Sequence, residues 1–133
     1  MMQVLVVEDD PHNALLFRKL LERRAGCVVT MTESGTEVVE GVRNGCFDLV
    51  IMDVSLANTT WRGEPVNGIE LCRILKSDPA TSSVPVVLAT AHAMRGDADK
   101  FVRRSGADGY VSKPILDHGE FIAQVQAMIR KAA

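Results

Sequence analysis

Val4-Leu5-Val6-Val7-Glu8-Asp9-Asp10-Pro11 opens on an unbroken apolar run and ends in consecutive acids and a proline. A Val/Leu run of this kind reads as a strand buried on both faces, the mark of a parallel sheet covered by helices. Asp10-Pro11 reads as a helix N-cap followed by proline at the first helical position, which leaves Glu8 and Asp9 at the strand's carboxyl end. The pattern recurs along the chain. Leu49-Val50-Ile51-Met52 ends in Asp53, Val84-Pro85-Val86-Val87-Leu88-Ala89 ends in Thr90, and Tyr110-Val111-Ser112 is followed by Lys113. In a parallel α/β sheet the carboxyl ends of the strands share one edge, and ligands bind in the crevice there. Three acids, a hydroxyl and a lysine are therefore expected to converge. Such a set can hold a hard divalent cation on oxygens, offer one carboxylate as a nucleophile, and neutralise a phosphoryl group with the remaining hydroxyl and ammonium. The chemistry indicated is phosphoryl transfer.

The rest of the chain supports this frame. Short Val/Leu/Ile runs alternate with helical-period stretches, giving βαβ units. Strands are predicted near 3–8, 27–31, 48–53, 84–90 and 109–112, and helices near 11–25, 35–44, 67–77, 95–105 and 117–131. Phe121, Val125, Met128 and Ile129 form the clearest helical stripe, and Gly26, Gly45 and Gly106 stand where left-handed C-caps are wanted. The 133 residues are the size of one domain, predicted to span 1–133 with no output domain, and 47% hydrophobic with 24% charged residues is ordinary globular composition. A net charge of −2 gives no reason to expect nucleic acid or an anionic membrane as partner. With no bilayer-spanning run and no secretory signal, a cytoplasmic location is expected. Cys27, Cys46 and Cys72 lack CxxC spacing and read as reduced, packed thiols within strands or helices.

Each site residue has a bland reading. Acids at a strand end can be solvated, a lone lysine is usually a surface charge, and a threonine at a strand end is unremarkable. The coincidence of Glu8 and Asp9 with Asp53 at the end of a separate strand is what favours a cation site, because three crowded carboxylates without a counter-ion repel one another. Mg²⁺ takes only one or two direct carboxylates, so Asp9 and Asp53 are the expected direct ligands, with Glu8 acting mainly through water. Lys113 precedes Pro114, and a cis bond there would aim the ammonium back over the sheet edge.

These residues resemble the receiver domain of two-component response regulators. The resemblance rests on Val-Val-Glu8-Asp9-Asp10, Val-Ile-Met-Asp53, Thr90-Ala91, and Gly106-Ala107-Asp108-Gly109-Tyr110-Val111-Ser112-Lys113-Pro114, and it covers essentially the whole chain. It implies an α/β, doubly wound, flavodoxin-like fold: a five-stranded parallel sheet of order 2-1-3-4-5 with five helices. It also implies that Asp53 accepts a phosphoryl group, with Mg²⁺, from a phosphohistidine on a sensor histidine kinase or histidine phosphotransfer protein. Glu8, Asp9, Asp53 and the Ser55 backbone carbonyl would hold the metal, and Lys113 would pair with the phosphoryl oxygens. Thr90 and Tyr110 would be the switch residues; for Tyr110 a half-buried strand aromatic is an equally good reading of the residues alone, and the family match favours switching. Ser55 and His92 stand where receivers vary residues that tune phosphoryl lifetime, and His92 is not counted as catalytic.

The pattern departs from the family in one place. Receivers usually carry Met-Pro after the phosphoacceptor and Asp-Gly at the next helix, with the glycine at +8; here Leu56-Ala57 and Asn67-Gly68 stand instead, and the glycine is at +15 (68 − 53). About seven residues are inserted in a connection usually two to six residues long. Thr59 to Pro65 is expected either to be a tolerated surface insertion with Trp61 covering apolar side chains, the preferred reading, or an ordered flap beside the phosphorylation site, with Trp61 anchoring it on the protein or presented to a partner. Signal output is expected through protein contacts on the fourth helix, fifth strand and fifth helix, to a target the sequence does not name; the same face would form any homodimer. The protein is not expected to be a turnover enzyme. An aspartyl-phosphate phosphohydrolase wants an acid two positions after the nucleophile, where Ser55 stands. A dinucleotide-binding domain wants GxGxxG after the first strand, where acids stand. A degenerate receiver acting as a docking scaffold is disfavoured by the complete set of site residues.

Overall fold

The computed structural model describes residues 2–91 and 97–132. Five parallel strands form the main sheet: β1 (Gln3–Val7), β2 (Val28–Thr32), β3 (Leu49–Asp53), β6 (Val86–Thr90) and β7 (Gly109–Ser112). Their order is β2-β1-β3-β6-β7, so the first strand lies inside the sheet and the chain reverses direction across it between β1 and β3. Relabelled by the five sheet strands alone, this is the expected 2-1-3-4-5. A separate two-stranded hairpin, β4 (Thr60–Trp61) with β5 (Glu64–Pro65), lies in the long connection after β3. The helices are α1 (Pro11–Ala25), α2 (Gly35–Arg43), α3 (Gly68–Ser77), α4 (Asp97–Ser105) and α5 (His118–Ala132).

Strand side chains alternate between faces, and the alternation divides the buried apolar residues into two cores. Val4, Val6, Leu49, Ile51, Val87 and Ala89 face α1 and α5, where Phe17, Leu21, Phe121 and Val125 meet them. Leu5, Val7, Val50, Met52, Val86 and Leu88 face α2 and α3, against Val38, Val42, Leu71 and Leu75. Continuous burial of β1, β3 and β6 explains why they lack any polar alternation. The stripe predicted on the last helix is buried at Phe121, Val125 and Ile129, with Met128 packed at its margin.

Local chemistry sets the element ends. The Asp10 carboxylate accepts the His12 and Asn13 N–H groups at the start of α1, and Gly26 (φ 66°) closes that helix in the left-handed region. Asn67 and Glu70 form a reciprocal capping box on α3. The fourth sheet strand starts at Val86 rather than 84, since Pro85 has no N–H for the ladder, although its carbonyl accepts the Val50 N–H at 3.0 Å. One expectation needs correction. Cys27 and Cys72 are buried, but Cys46 is exposed in the connection between α2 and β3, where no element requires it to be packed.

The inserted segment is ordered. Thr60 pairs with Pro65 and Trp61 with Glu64, and the Val66 N–H donates to the Thr59 carbonyl at 3.0 Å. Arg62 (φ 52°) and Gly63 (φ 81°) turn the hairpin with both central residues left-handed, the geometry of a tight primed turn. The hairpin backbone lies on the start of α2: a Cβ at Gly35 would overlap the Thr60 carbonyl oxygen. Trp61 is half-buried against the core shared by α2 and α3. It covers apolar side chains and anchors the hairpin on the protein, which both readings of the insertion allow.

Candidate phosphoryl-transfer site

The carboxyl edge of the sheet brings the predicted residues together. Glu8 follows β1, Asp53 ends β3, Thr90 ends β6 and Lys113 follows β7. Lys113 Nζ donates to Asp53 Oδ1 at 2.9 Å and to Glu8 Oε1 at 3.0 Å, joining residues 60 and 105 positions apart. Its backbone N–H donates to the Thr90 carbonyl at 2.9 Å, so Lys113 and Thr90 are tied through the β6–β7 ladder. The Lys113-Pro114 peptide is cis. Glu8, Asp53 and Thr90 are buried, whereas Asp9 is half-buried and Asp10, the helix cap, is exposed. Tyr110 lies on β7 with 36% of its surface exposed, and its carbonyl accepts the Gln124 amide at 3.0 Å. His92 lies outside the described residues.

Glu8, Asp9 and Asp53 each offer one carboxylate oxygen, and these oxygens lie within 4.8 Å of one another. An anionic, all-oxygen donor set of this size suits a hard divalent cation. The Ser55 N–H donates to Asp53 Oδ1 at 3.0 Å, which brings the Ser55 backbone against the site, and the residue is exposed.

The charges are strongly coupled. Burial, followed by the neighbouring Asp53 carboxylate, pushes Glu8 up from 4.5 to about 7. Burial also acts to raise Asp53, but hydrogen bonds with Glu8, Lys113 and the Ser55 N–H outweigh it and hold its carboxyl below the ordinary value. Burial acts to lower Lys113, and its pairing with Asp53 and Glu8 prevails and raises it. The folded state therefore binds a proton on Glu8 more tightly than the unfolded chain does. That contribution to stability is present below about pH 4.5 and is lost as pH rises through about 7, while the Asp53 contribution is lost only as pH falls below its ordinary value of 3.8. Metal-free protein is expected to melt at falling temperature between pH 4.5 and 7, and Glu8→Gln is expected to flatten that slope. Thermal unfolding in chelator across the range checks it; an unchanged slope in the variant would assign the titration elsewhere.

Two features of the site, and a third at the opposite, amino edge of the sheet, were not read from the sequence. The Ala57 N–H, at the root of the insertion, donates to Asp9 Oδ2 at 3.1 Å. Gly68 begins α3 directly against the backbone at the end of β3: its N–H donates to the Val54 carbonyl at 3.1 Å, and a Cβ there would overlap the Asp53 carbonyl oxygen. Lys76 bridges Asp108 at 2.7 Å and the carbonyls of Ser82 and Val84, bracing the entry to β6. Asp108 in turn accepts the Val86 N–H at 2.8 Å. The spacing of Gly68 was visible, but its contact is tertiary.

The family pattern of the response regulator receiver domain matches residues 4–126. The chain belongs to the response regulator receiver family. The receiver is 38% identical over 112 residues to the polar-differentiation response regulator DivK of Brucella ovis, covering 84% of each chain. The corresponding protein of Brucella anthropi is 37% identical over the same share. Among solved structures, the receiver domain of the sensor histidine kinase PA1611 from Pseudomonas aeruginosa PAO1 superposes with a TM-score of 0.79 at 26% identity, covering 97% of this receiver and 98% of that chain. That protein carries a magnesium ion coordinated in its active site cleft. A sensor protein from Polaromonas sp. JS666 gives a TM-score of 0.80 at 25% identity, covering 99% and 98%. Receivers are response regulator modules of two-component signalling that accept a phosphoryl group and bind Mg²⁺ at an acidic pocket. Among the described residues of this receiver, no helix is long and apolar enough to cross a membrane.

Proposed function

We propose that Asp53 is the phosphoacceptor and that its donor is a phosphohistidine on a sensor histidine kinase or histidine phosphotransfer protein. The observation that carries this reading is the Lys113 ammonium bridging Asp53 and Glu8, with the Asp9 carboxylate beside them. One Asp53 oxygen attacks phosphorus in line as the imidazole nitrogen leaves, and Lys113 and the Thr90 hydroxyl meet the charge on the equatorial oxygens. Asp53, held ionised by its hydrogen bonds, needs no general base. Glu8, Asp9, Asp53 and the Ser55 carbonyl would hold Mg²⁺, which supplies neutralisation of the developing phosphoryl charge.

Once Asp53 carries a dianionic group, the Thr90 hydroxyl is drawn toward it and Tyr110 follows inward, biasing a two-state surface. The output face is then α4, β7 and α5, where Tyr110, Leu116, Phe121 and Met128 line a groove of about 660 Å³. Leu116 is 89% exposed, suited to a downstream protein. A phosphohistidine donor charged from ATP places the exchange in the cytoplasm. Catalysis is limited to the protein's own phosphorylation and dephosphorylation, since Ser55 offers no general acid for turnover.

Intact-mass analysis after incubation with Mg²⁺ and acetyl phosphate tests the reading. One added phosphoryl group is expected, absent in Asp53→Asn and in chelator. An adduct that persists in the variant would move the acceptor elsewhere, and no adduct together with no beryllofluoride binding would favour a docking scaffold.

A further inference from the structure

We propose that the groove between α2, the β4–β5 hairpin and α3, on the face away from α5, binds an acidic segment of a partner protein, with carboxylates flanking an apolar residue. The groove measures about 620 Å³. Its floor is apolar, formed by Val39, Val66 and Ile74 with the ring of Trp61, and Arg43, Arg62 and Arg73 stand around it. The two acids on its rim are already engaged. Glu70 accepts the Asn67 N–H within the capping box, and Asp78 pairs with Arg43 at 2.9 Å and accepts the Ala80 N–H. Arg62 and Arg73 have no ion pair among the described residues, so two guanidinium groups face the groove unneutralised on a chain whose net charge is −2. Guanidinium forks match carboxylates in a way that ammonium groups do not.

A second observation singles out Arg62. It is the only described residue other than glycine with a positive φ, at 52°, and its guanidinium lies 4.3 Å from the centroid of the Trp61 ring. Asparagine suits that turn position better, and backbone strain of this kind collects at ligand clamps. The ring holds the cation over the groove in advance of binding, which reduces the ordering cost to a carboxylate partner. An apolar residue between carboxylates would reach the floor while its neighbours meet Arg62 and Arg73.

The test needs neither Mg²⁺ nor a phosphodonor, so it stands apart from the phosphoacceptor reading. The ¹⁵N-labelled protein is titrated with the blocked peptide Glu-Asp-Leu-Glu-Glu and with Lys-Lys-Leu-Lys-Lys as control, at low and high salt. Shifts confined to α2, the hairpin and α3 are expected for the acidic peptide only, weakening with salt. Arg62→Asn combined with Arg73→Glu is expected to weaken binding about tenfold or more, although Arg62→Asn alone relieves the turn and leaves thermal stability equal or higher. Asp53→Asn is expected to bind the peptide as wild type does. The proposal is overturned by shifts elsewhere, by an equal response to the lysine peptide or to inorganic phosphate, by unchanged affinity in the double variant, or by self-association of the protein on this face.

Discussion

Gly68→Ala is expected to destabilise the protein by about 3 kcal/mol or more, a larger loss than most single substitutions produce. The added methyl would overlap the Asp53 carbonyl and press on the Val54 backbone. These are main-chain atoms in and just after a fully buried strand, so no side-chain rotation makes room. Either α3 retreats and leaves a void against Leu71 and Leu75, or the end of β3 moves and carries the Asp53 carboxylate with it. Acetyl phosphate labelling is therefore expected to fall along with stability. Gly119→Ala is the control, because the nearest atoms to a Cβ there lie at 3.7 Å. Urea unfolding of both variants decides the matter: a loss below 1 kcal/mol for Gly68→Ala would mean that the two backbones are less firmly apposed than described.

Lys113→Met is expected to act in opposite directions on two measurements. Phosphorylation by acetyl phosphate is expected to slow about a hundredfold, the scale for removing one charged donor from a site of developing negative charge. Mg²⁺ affinity is expected to rise, because the ammonium competes with the metal for the oxygens of Asp53 and Glu8. Methionine keeps the stem's bulk, so packing beside the site is retained. Titration calorimetry and intact-mass kinetics on the same preparation separate electrostatics from damage to the fold. A variant that lost both metal affinity and labelling would point to misfolding, and one that kept the wild-type rate would remove Lys113 from the transfer step.

The site was legible because it lies where legible elements stop. Buried parallel strands appear as unbroken Val/Leu/Ile runs, and the first polar residue after each run necessarily stands on the ligand-binding edge. Glu8, Asp53 and Thr90 were located in this way, and the capping residues Asp10 and Gly26 set α1 to the residue. What escaped depends on contacts between distant segments. Arg62-Gly63 is not the Asn-Gly pair that announces a tight hairpin, and Pro65 argues against a strand, so β4 and β5 read as loop. Lys76 resembles any solvated lysine until Asp108 and the Ser82 and Val84 carbonyls are placed around it. The exposure of Cys46 depends on how α2 ends, which composition does not reveal.

The hydrogen bond from the Gly68 N–H to the Val54 carbonyl has a consequence for how such proteins vary. It closes a doorway in the chain whose two jambs, residues 54 and 68, stand together whatever lies between them. A segment of any length that leaves and returns through that doorway leaves the end of β3 and the start of α3 where they are. The hairpin is in this sense a cassette whose exchange leaves those two ends in place, although a host that receives it needs glycine where Gly35 stands and an apolar surface between α2 and α3 for Trp61.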